Sequence, residues 1–280
     1  MRIVHISDIH FFYFNKNPLQ FFNKSFFGNL NYLFNRKKLY NQHLAYLVTD
    51  TFLELGVTHI IITGDYTCSS NKQEFRQMKR YVNFLIKKGF IVFTIPGNHD
   101  CYTRKTDDQK IFYKYLHRLI NFSGDANFNL INDRVVAYNL QDNWWLVCVD
   151  CAHKTSIISS TGIFDLKTEE NLNDLLSSLP KNASIIIANH FPYKPFKYPR
   201  CHLQRGESLK QIIQKNKNIR LFMHGHCHIN NIENENQNLT ISDSGSISLI
   251  KKSTFNLITL ENDKCYVSAY LYNQTKWVAL

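Results

Sequence analysis

The feature that most constrains this chain is a set of five short polar clusters, each of which directly follows an apolar run. In chain order they are Asp8-Ile9-His10, Gly64-Asp65, Gly97-Asn98-His99-Asp100, His190-Phe191-Pro192 and Gly225-His226-Cys227-His228. The short apolar runs before them are typical of strands in a sheet that is covered on both faces. Polar groups at the ends of such strands meet at one edge of an α/β sheet, where ligands bind.

The rest of the pattern predicts a layered α/β protein with a β-rich C-terminal part. We predict apolar strands at 2–7, 57–63, 90–95, 144–149, 184–188 and 219–223, and later strands at 239–242, 246–250, 255–260 and 265–272. Helical spacing of apolar residues predicts helices at 43–55, 72–88, 107–120, 168–179 and 206–216. With 280 residues, 44% of them hydrophobic, the chain can form one large core, so we predict a single domain over 1–280.

Charge and cysteine content restrict the partners and the compartment. The net charge of +11 favours anionic partners, or reflects a generally basic proteome. Seven cysteines, an odd number, together with no secretory h-region at the start, predict reduced thiols and a cytoplasmic protein. No apolar run reaches the length of a membrane span, so any membrane contact would be peripheral, on the inner face.

The side chains in the clusters suit a pair of divalent cations. They supply two carboxylates, four imidazoles and one amide: Asp8, Asp65, His10, His190, His226, His228 and Asn98. Asp65, with two oxygens, is the natural bridging ligand. The two cations carry more charge than two carboxylates and a hydroxide, so the site stays positive and attracts a phosphoryl group. Two adjacent metals activate water and stabilise the attacking and leaving oxygens, which predicts hydrolysis of a phosphate ester.

The ordered series of clusters resembles the calcineurin-like metallophosphoesterase superfamily. The resemblance implies a four-layer α/β/β/α sandwich with two mixed central sheets and a dinuclear site at the carboxyl ends of the strands. It also implies one metal on Asp8, His10, Asp65 and His228, and a second on Asp65, Asn98, His190 and His226. Asn98 and His99 would bind substrate, His99 would stabilise or protonate the leaving oxygen, and Asp100 would orient His99.

The same resemblance leaves the metal and the substrate open. Histidines with hard oxygen ligands admit Mn, Fe or Zn. The expected reaction is cleavage of a phosphodiester or pyrophosphate bond by a hydroxide activated by the two metals. Alternatives are a membrane-docking pyrophosphatase of the UDP-diacylglucosamine type, a cyclic nucleotide phosphodiesterase, and a non-catalytic scaffold on the same fold. The best-known lipid-cleaving branch has Arg where this chain has His99, which argues against that assignment.

A basic, aromatic insert at about 11–42 bears on the substrate. It contains no acidic residue, and its cations are Lys16, Lys24, Arg36, Lys37 and Lys38. Three interpretations stay open: docking on an anionic membrane surface, stacking on a nucleic-acid single strand, and ordinary packing on the body of the protein. We expect a phosphorylated small molecule or a lipid-linked nucleotide as substrate. A nucleic-acid partner is not favoured, because no DNA-binding domain is seen.

Five further histidines are expected to be core or surface residues rather than ligands: His5, His43, His59, His117 and His153. For His202, in a loop with Tyr, Pro and Arg, a place at the rim of the pocket stays open. A zinc site built on His224, Cys227 and neighbours has weak support, because no second ligand pair stands at zinc-finger spacing.

Overall fold

A computed structural model describes residues 1–13, 39–154, 159–194 and 202–280. Within these ranges the strands are β1 (Arg2–Ile6), β2 (His59–Ile62), β3 (Ile91–Thr94), β4 (Val135–Gln141), β5 (Trp144–Val149), β6 (Gly162–Ile163), β7 (Ser184–Ala188), β8 (Leu203–Gln204), β9 (Ile219–His224), β10 (Asn230–Asn234), β11 (Thr240–Ser244), β12 (Thr254–Glu261), β13 (Lys264–Tyr272) and β14 (Trp277–Ala279). The helices are α1 (Leu44–Glu54), α2 (Lys72–Lys87), α3 (Arg104–Asp108), α4 (Ile111–Leu116), α5 (Leu130–Asp133), α6 (Leu166–Ser178) and α7 (Gly206–Lys215).

The large strands form two mixed six-stranded sheets. The first has the order β14-β13-β12-β1-β2-β3 and the second the order β10-β11-β9-β7-β5-β4. Pairing is parallel within β1-β2-β3 and within β5-β7-β9-β11, and antiparallel at the remaining neighbours. The six predicted apolar strands are β1, β2, β3, β5, β7 and β9, each within two residues of its predicted ends.

Side-chain alternation along the strands defines the layers. In β7, Ile186 faces the core that contains the first sheet with α1 and α2, whereas Ile185 and Ile187 face the core shared with α6 and α7. Successive side chains of a strand point to opposite faces, so the second sheet has one face on each core. The order of layers is therefore helices, sheet, sheet, helices, which confirms the predicted α/β/β/α sandwich.

Some predicted elements were wrong, each for a local reason. The single helix expected at 107–120 is two helices, α3 and α4, separated at Lys110, whose backbone is left-handed (φ 50°). Helix α6 begins earlier than expected, because Asp165 caps it by accepting from the Thr168 backbone N–H at 2.8 Å. Residues 246–250, expected to be a strand, form isolated bridges instead. Strand β10 was not predicted, because its polar residues show no apolar pattern.

The described ends of the predicted insert are fixed to the body. Phe11 bridges to Thr67, and Tyr40 bridges to Leu249. Residues 14–38, which include the five insert cations, lie outside the described ranges. The prediction of a single domain over 1–280 stays a prediction. Among the described residues, no helix combines the length and the apolar character needed to cross a bilayer.

Glu74, in the first turn of α2, secures the start of this insert. Its buried carboxylate accepts from the backbone N–H groups of Ser69 (2.9 Å), Asn71 (3.3 Å) and Tyr13 (3.3 Å). Burial raises the pKa of Glu74 to about 7, despite these hydrogen bonds. The folded protein therefore holds this proton more tightly than an unfolded chain does, and the resulting stability is lost as pH rises from about 4.5 to about 7.

We predict that Glu74→Gln removes this pH dependence, because glutamine does not ionise. The free energy of unfolding of the wild type minus that of the variant should fall by about 2 kcal/mol between about pH 5 and pH 8. Chemical denaturation at the two pH values measures it, with exposed Glu170→Gln as the control for loss of a carboxylate. An equal difference at both pH values would contradict the prediction.

Candidate metal centre

The loops that carry the polar clusters are tied to one another by backbone hydrogen bonds. The Asp8 N–H donates to the Gly64 carbonyl (3.1 Å), and the His10 N–H donates to the Asp65 carbonyl (3.0 Å). On the second sheet, the Gly225 N–H donates to the carbonyl of His190 (3.0 Å). β1 and β2 are parallel neighbours in the first sheet, and β7 and β9 are parallel neighbours in the second. Within each sheet these bonds therefore join loops that leave the same edge but are distant in sequence.

Two of the flanking glycines are needed for space rather than for a turn. A Cβ on Gly97 would lie 2.2 Å from Asp65 Oδ1, and one on Gly225 would lie 1.9 Å from Ser7 Oγ and 2.5 Å from Asp8 Oδ2. Gly64 has a positive φ (94°), whereas neither Gly97 nor Gly225 has one. Any larger residue at these two positions would push against the carboxylates.

The positive φ values occur instead at the polar residues themselves. The left-handed residues of the site are Asp8 (56°), His10 (53°), Asp65 (55°), His226 (71°) and His228 (55°). This conformation costs an L-residue roughly 1–2 kcal/mol. Such outliers cluster where surrounding structure fixes a functional geometry.

One group of donors comprises Asp8, His10, Asp65 and His228, whose candidate ligand atoms all lie within 4.8 Å of one another. His228 Nε2 is 2.9 Å from Asp8 Oδ1, and His10 Nε2 is 3.5 Å from the same oxygen. Asp65 Oδ2 is 3.9 Å from His10 Nε2. This spacing is suitable for ligands that surround a single cation.

A second group shares Asp65 with the first. It contains Asp65, His190 and His226, again within 4.8 Å. His190 Nε2 lies 3.5 Å from Asp65 Oδ1 and 3.2 Å from the amide oxygen of Asn98, so Asn98 belongs to the same group by position. The two groups together contain all seven residues that the sequence predicts as ligands, with Asp65 between them.

The imidazoles are oriented with Nε2 toward the centre. His190 Nδ1 lies 2.6 Å from the Thr63 carbonyl oxygen, and His10 Nδ1 lies 3.4 Å from that of Thr67. A carbonyl can only accept, so Nδ1 carries a hydrogen and Nε2 is the nitrogen that would bind a metal. Histidines that bind metals are held in this way by their outer nitrogen.

Several buried atoms in the centre lack a partner that suits them. Among the described residues, His226 Nε2 is buried without a hydrogen-bond partner. His10 Nε2 and His228 Nε2 lie 3.1 Å apart, so two ring nitrogens face each other. Unpaired buried acceptors are costly unless a cation satisfies them. The donors present therefore fit a pair of divalent metals.

Electrostatics in the centre favour ionised carboxylates. Burial raises the pKa of Asp8, but His228 and His10 outweigh it and hold that pKa well below its usual range. Burial likewise raises the pKa of Asp65, and His190 and His99 outweigh it. The pKa of His190, which burial alone would depress, is raised to about 9 by Asp65. The centre thus keeps two buried carboxylates ionised with a protonated His190 beside Asp65, whereas burial lowers the pKa of His10 and His226.

His99 and Asp100 follow β3 and have different surroundings. The His99 ring is partly exposed, stacks on Tyr102 (5.1 Å between centroids) and has Nδ1 2.7 Å from the Cys68 carbonyl oxygen. The Asp100 carboxylate accepts from the backbone N–H groups of Thr67 (2.9 Å), Gly97 (3.0 Å) and Tyr66 (3.2 Å).

These contacts give Asp100 a structural task, and its predicted role of orienting His99 stays a prediction. Its carboxylate joins the loop after β2 to the loop after β3, because its hydrogen bonds go to backbone groups of both. The carbonyl of Cys68 is what holds the outer nitrogen of His99. Direct roles of His99 and Asp100 in catalysis stay predictions.

Tyr40 is a residue of the site that the sequence did not reveal. Its buried hydroxyl lies 2.8 Å from His228 Nδ1, and its ring meets that of His10 edge-on at 5.6 Å. Tyr40 stands at the end of the predicted insert and is held by the bridge to Leu249. Its separation of 188 residues from His228 explains why no local pattern could join them.

Comparison with known proteins agrees with this arrangement. The calcineurin-like phosphoesterase family model matches residues 1–230, so the chain belongs to that family, whose members normally use a dinuclear divalent metal site. No curated protein sequence matches the chain significantly.

Solved structures with a similar fold include several phosphatases. A dimetal phosphatase from Danio rerio has a TM-score of 0.64 at 13% identity, covering 99% of this chain and 98% of that one. The purple acid phosphatase PPD1 of yellow lupin has a TM-score of 0.63 at 12% identity, and a 5'-nucleotidase from Candida albicans has 0.51 at 13%. These two matches cover 99% and 98% of this chain but 52% of each other protein. At such identities the likeness extends to the fold.

We predict that Tyr40→Phe weakens metal binding, because Nδ1 of His228 loses its hydrogen-bond partner. Loss of such an outer contact typically costs roughly 10–100-fold in metal affinity or activity. Titration of metal-free protein with Mn²⁺ measures the affinity, and Tyr266→Phe, half exposed on β13, is the matched control. Equal affinity in Tyr40→Phe and wild type would show that the hydroxyl does not position His228.

Proposed function

We propose that this protein is a metal-dependent phosphohydrolase that cleaves a phosphodiester or pyrophosphate bond. The observation that carries the proposal is the pair of donor groups that share Asp65. A shared carboxylate fits two cations side by side, the arrangement used for in-line displacement at phosphorus. The predicted ligands are Asp8, His10, Asp65 and His228 for one cation, and Asp65, Asn98, His190 and His226 for the other.

Two bound divalent cations would lower the pKa of water and polarise the phosphoryl oxygens. The chain's own residues would then place the substrate. The side-chain nitrogen of Asn98 can donate to a phosphoryl oxygen while its amide oxygen faces His190 at 3.2 Å. Asp65 Oδ1 accepts from the His99 backbone N–H at 2.8 Å, which fixes the start of the His99 side chain relative to the metals.

His99 is the proposed general acid. Its Nδ1 faces the Cys68 carbonyl, so its Nε2 is the nitrogen that can approach a leaving oxygen. The ring is partly exposed and lies 5.0 Å from that of His10, a member of the first donor group. A proton on Nε2 would pass to the leaving oxygen as the bond to phosphorus breaks.

We predict that Asn98→Ala and His99→Ala each lower turnover of bis-p-nitrophenyl phosphate with Mn²⁺ by about 10²-fold or more, because each removes a contact to the reacting phosphoryl group. Exposed His117→Ala is the control for loss of an imidazole. Undiminished turnover in both site variants would overturn the assignment. A variant that has lost both metals and still hydrolyses the substrate would also overturn the assignment.

For the substrate, we propose a lipid-linked nucleotide or a similar anionic molecule with an apolar part. Residues 14–38 contain five basic, seven aromatic and no acidic residues. They connect Tyr13 to Leu39, and the next residue, Tyr40, contacts His228. A segment of this composition that starts and ends beside the donor groups suits an anionic membrane surface, on which a lipid-linked substrate would be presented.

We predict that the protein floats with vesicles of phosphatidylcholine and phosphatidylglycerol and not with phosphatidylcholine alone. Each basic residue near an anionic surface contributes about 1 kcal/mol, so replacing Arg36, Lys37 and Lys38 by Gln should weaken binding roughly 100-fold. The matched control replaces exposed Lys181, Lys215 and Lys217. Failure of the wild type to bind anionic vesicles would sink the lipid proposal and favour soluble phosphodiesters.

A further inference from the structure

A third group of metal-binding side chains lies beside the candidate metal centre. It consists of His224 at the end of β9, Cys227 in the following loop and Asp243 in β11, with candidate ligand atoms within 4.8 Å of one another. The three residues belong to neither of the groups that share Asp65. Parallel pairing of β9 with β11 places Asp243 opposite His224. This pairing supplies the third ligand that spacing in the sequence did not reveal.

The three side chains already face one another. His224 Nδ1 lies 3.5 Å from Asp243 Oδ2, and the Cys227 thiol donates a hydrogen bond to the Asp243 carboxylate. The same nitrogen also donates to the Gly225 carbonyl at 3.0 Å, so a cation bound at Nδ1 would replace that contact and move the imidazole hydrogen to Nε2. Ligands about 2.1 Å from a tetrahedral zinc ion stand about 3.4 Å apart, close to the distance between His224 and Asp243. A cation bound to the three atoms would replace the thiol hydrogen that now links Cys227 to Asp243.

Burial adds a reason for a cation at this position. Asp243 is 3% exposed and His224 is 7% exposed. The described partners of the carboxylate are the Gly245 backbone N–H (2.9 Å), the Cys227 thiol and His224, none of which carries a fixed positive charge. A buried carboxylate is unfavourable unless charge or hydrogen bonds compensate it.

The group is also open to solvent on one side. A pocket of about 190 Å³ is lined by all three residues together with Tyr193, Lys194 and Glu233. The pocket provides an entry path and room for a fourth ligand, such as water or a small anion. Three protein ligands with an open fourth position are typical of zinc sites that bind an exchangeable ligand.

We propose that His224, Cys227 and Asp243 bind one zinc-type transition-metal cation, separate from the two cations at the candidate metal centre. Thiolate and imidazole ligands favour Zn²⁺ and Co²⁺ over Mg²⁺ and Mn²⁺. Binding replaces the thiol hydrogen: the sulfur–hydrogen bond breaks, the proton leaves to solvent and the sulfur lone pair binds the cation. Because Cys227 stands between His226 and His228, the cation would also hold the segment that carries both.

Titration of the metal-free full-length protein with Co²⁺ tests this proposal. A thiolate bound to Co²⁺ gives a charge-transfer absorption in the near ultraviolet, and the predicted ligands of the candidate metal centre contain no sulfur. We expect three bound equivalents and this absorption in the wild type. Cys227→Ser and Asp243→Asn should each bind two equivalents, and Cys227→Ser should lose the absorption. Cys265→Ser, which changes a partly buried thiol on β13, should keep both.

Absence of the absorption in wild type, or its survival in Cys227→Ser, would overturn the proposal and leave a hydrogen-bonded cluster. Asp65→Asn separates this result from the proposed function, since it should impair the shared ligand and turnover yet keep the thiolate absorption. Circular dichroism of each variant shows whether it is folded. If Cys227→Ser is unfolded, alkylation of the wild-type thiols tests the site instead. A bound metal should protect Cys227 from the reagent, and equal alkylation of Cys227 with and without metal would contradict the proposal.

Discussion

The arrangement of the candidate metal centre depends on two buried carboxylates, Asp8 and Asp65. Both are almost fully buried, and the groups that face them are imidazoles with Nε2 directed inward. A pair of ionised carboxylates in such a place is stable only with positive charge between them. The raised pKa of His190 is one sign of this demand, and the unpartnered Nε2 of His226 is another. Cations of high charge would satisfy both carboxylates at once.

Holding these groups in place requires a rigid frame. Five residues of the centre have left-handed backbones, each at a cost of roughly 1–2 kcal/mol. Gly97 and Gly225 touch the carboxylates so closely that a Cβ would collide with them. Two packed sheets, with helices on both outer faces, provide the burial that offsets this cost. The fold thus maintains a local geometry that the same residues would not adopt in an isolated peptide.

Sequence predicts the parts of this protein that depend on neighbouring residues. Apolar, β-branched runs locate β1, β2 and β7, and the polar residues after them locate the site, because a strand and its end are local features. The break at Lys110 was missed, since a left-handed residue other than glycine leaves no pattern. Contacts such as Tyr40 with His228, and His224 with Asp243, depend on how distant segments pair. No spacing rule connects them before the sheets are assembled.

The contacts of Tyr40 also link the candidate metal centre to the insert. The donor groups lie at strand ends. Tyr40 and Tyr13 belong to the two ends of the insert, one against His228 and the other on Glu74. Any substrate or surface that displaces either end would therefore act on a predicted metal ligand or on the cap of α2. If the insert binds substrate as proposed, specificity and metal geometry are coupled through the contact of Tyr40 with His228.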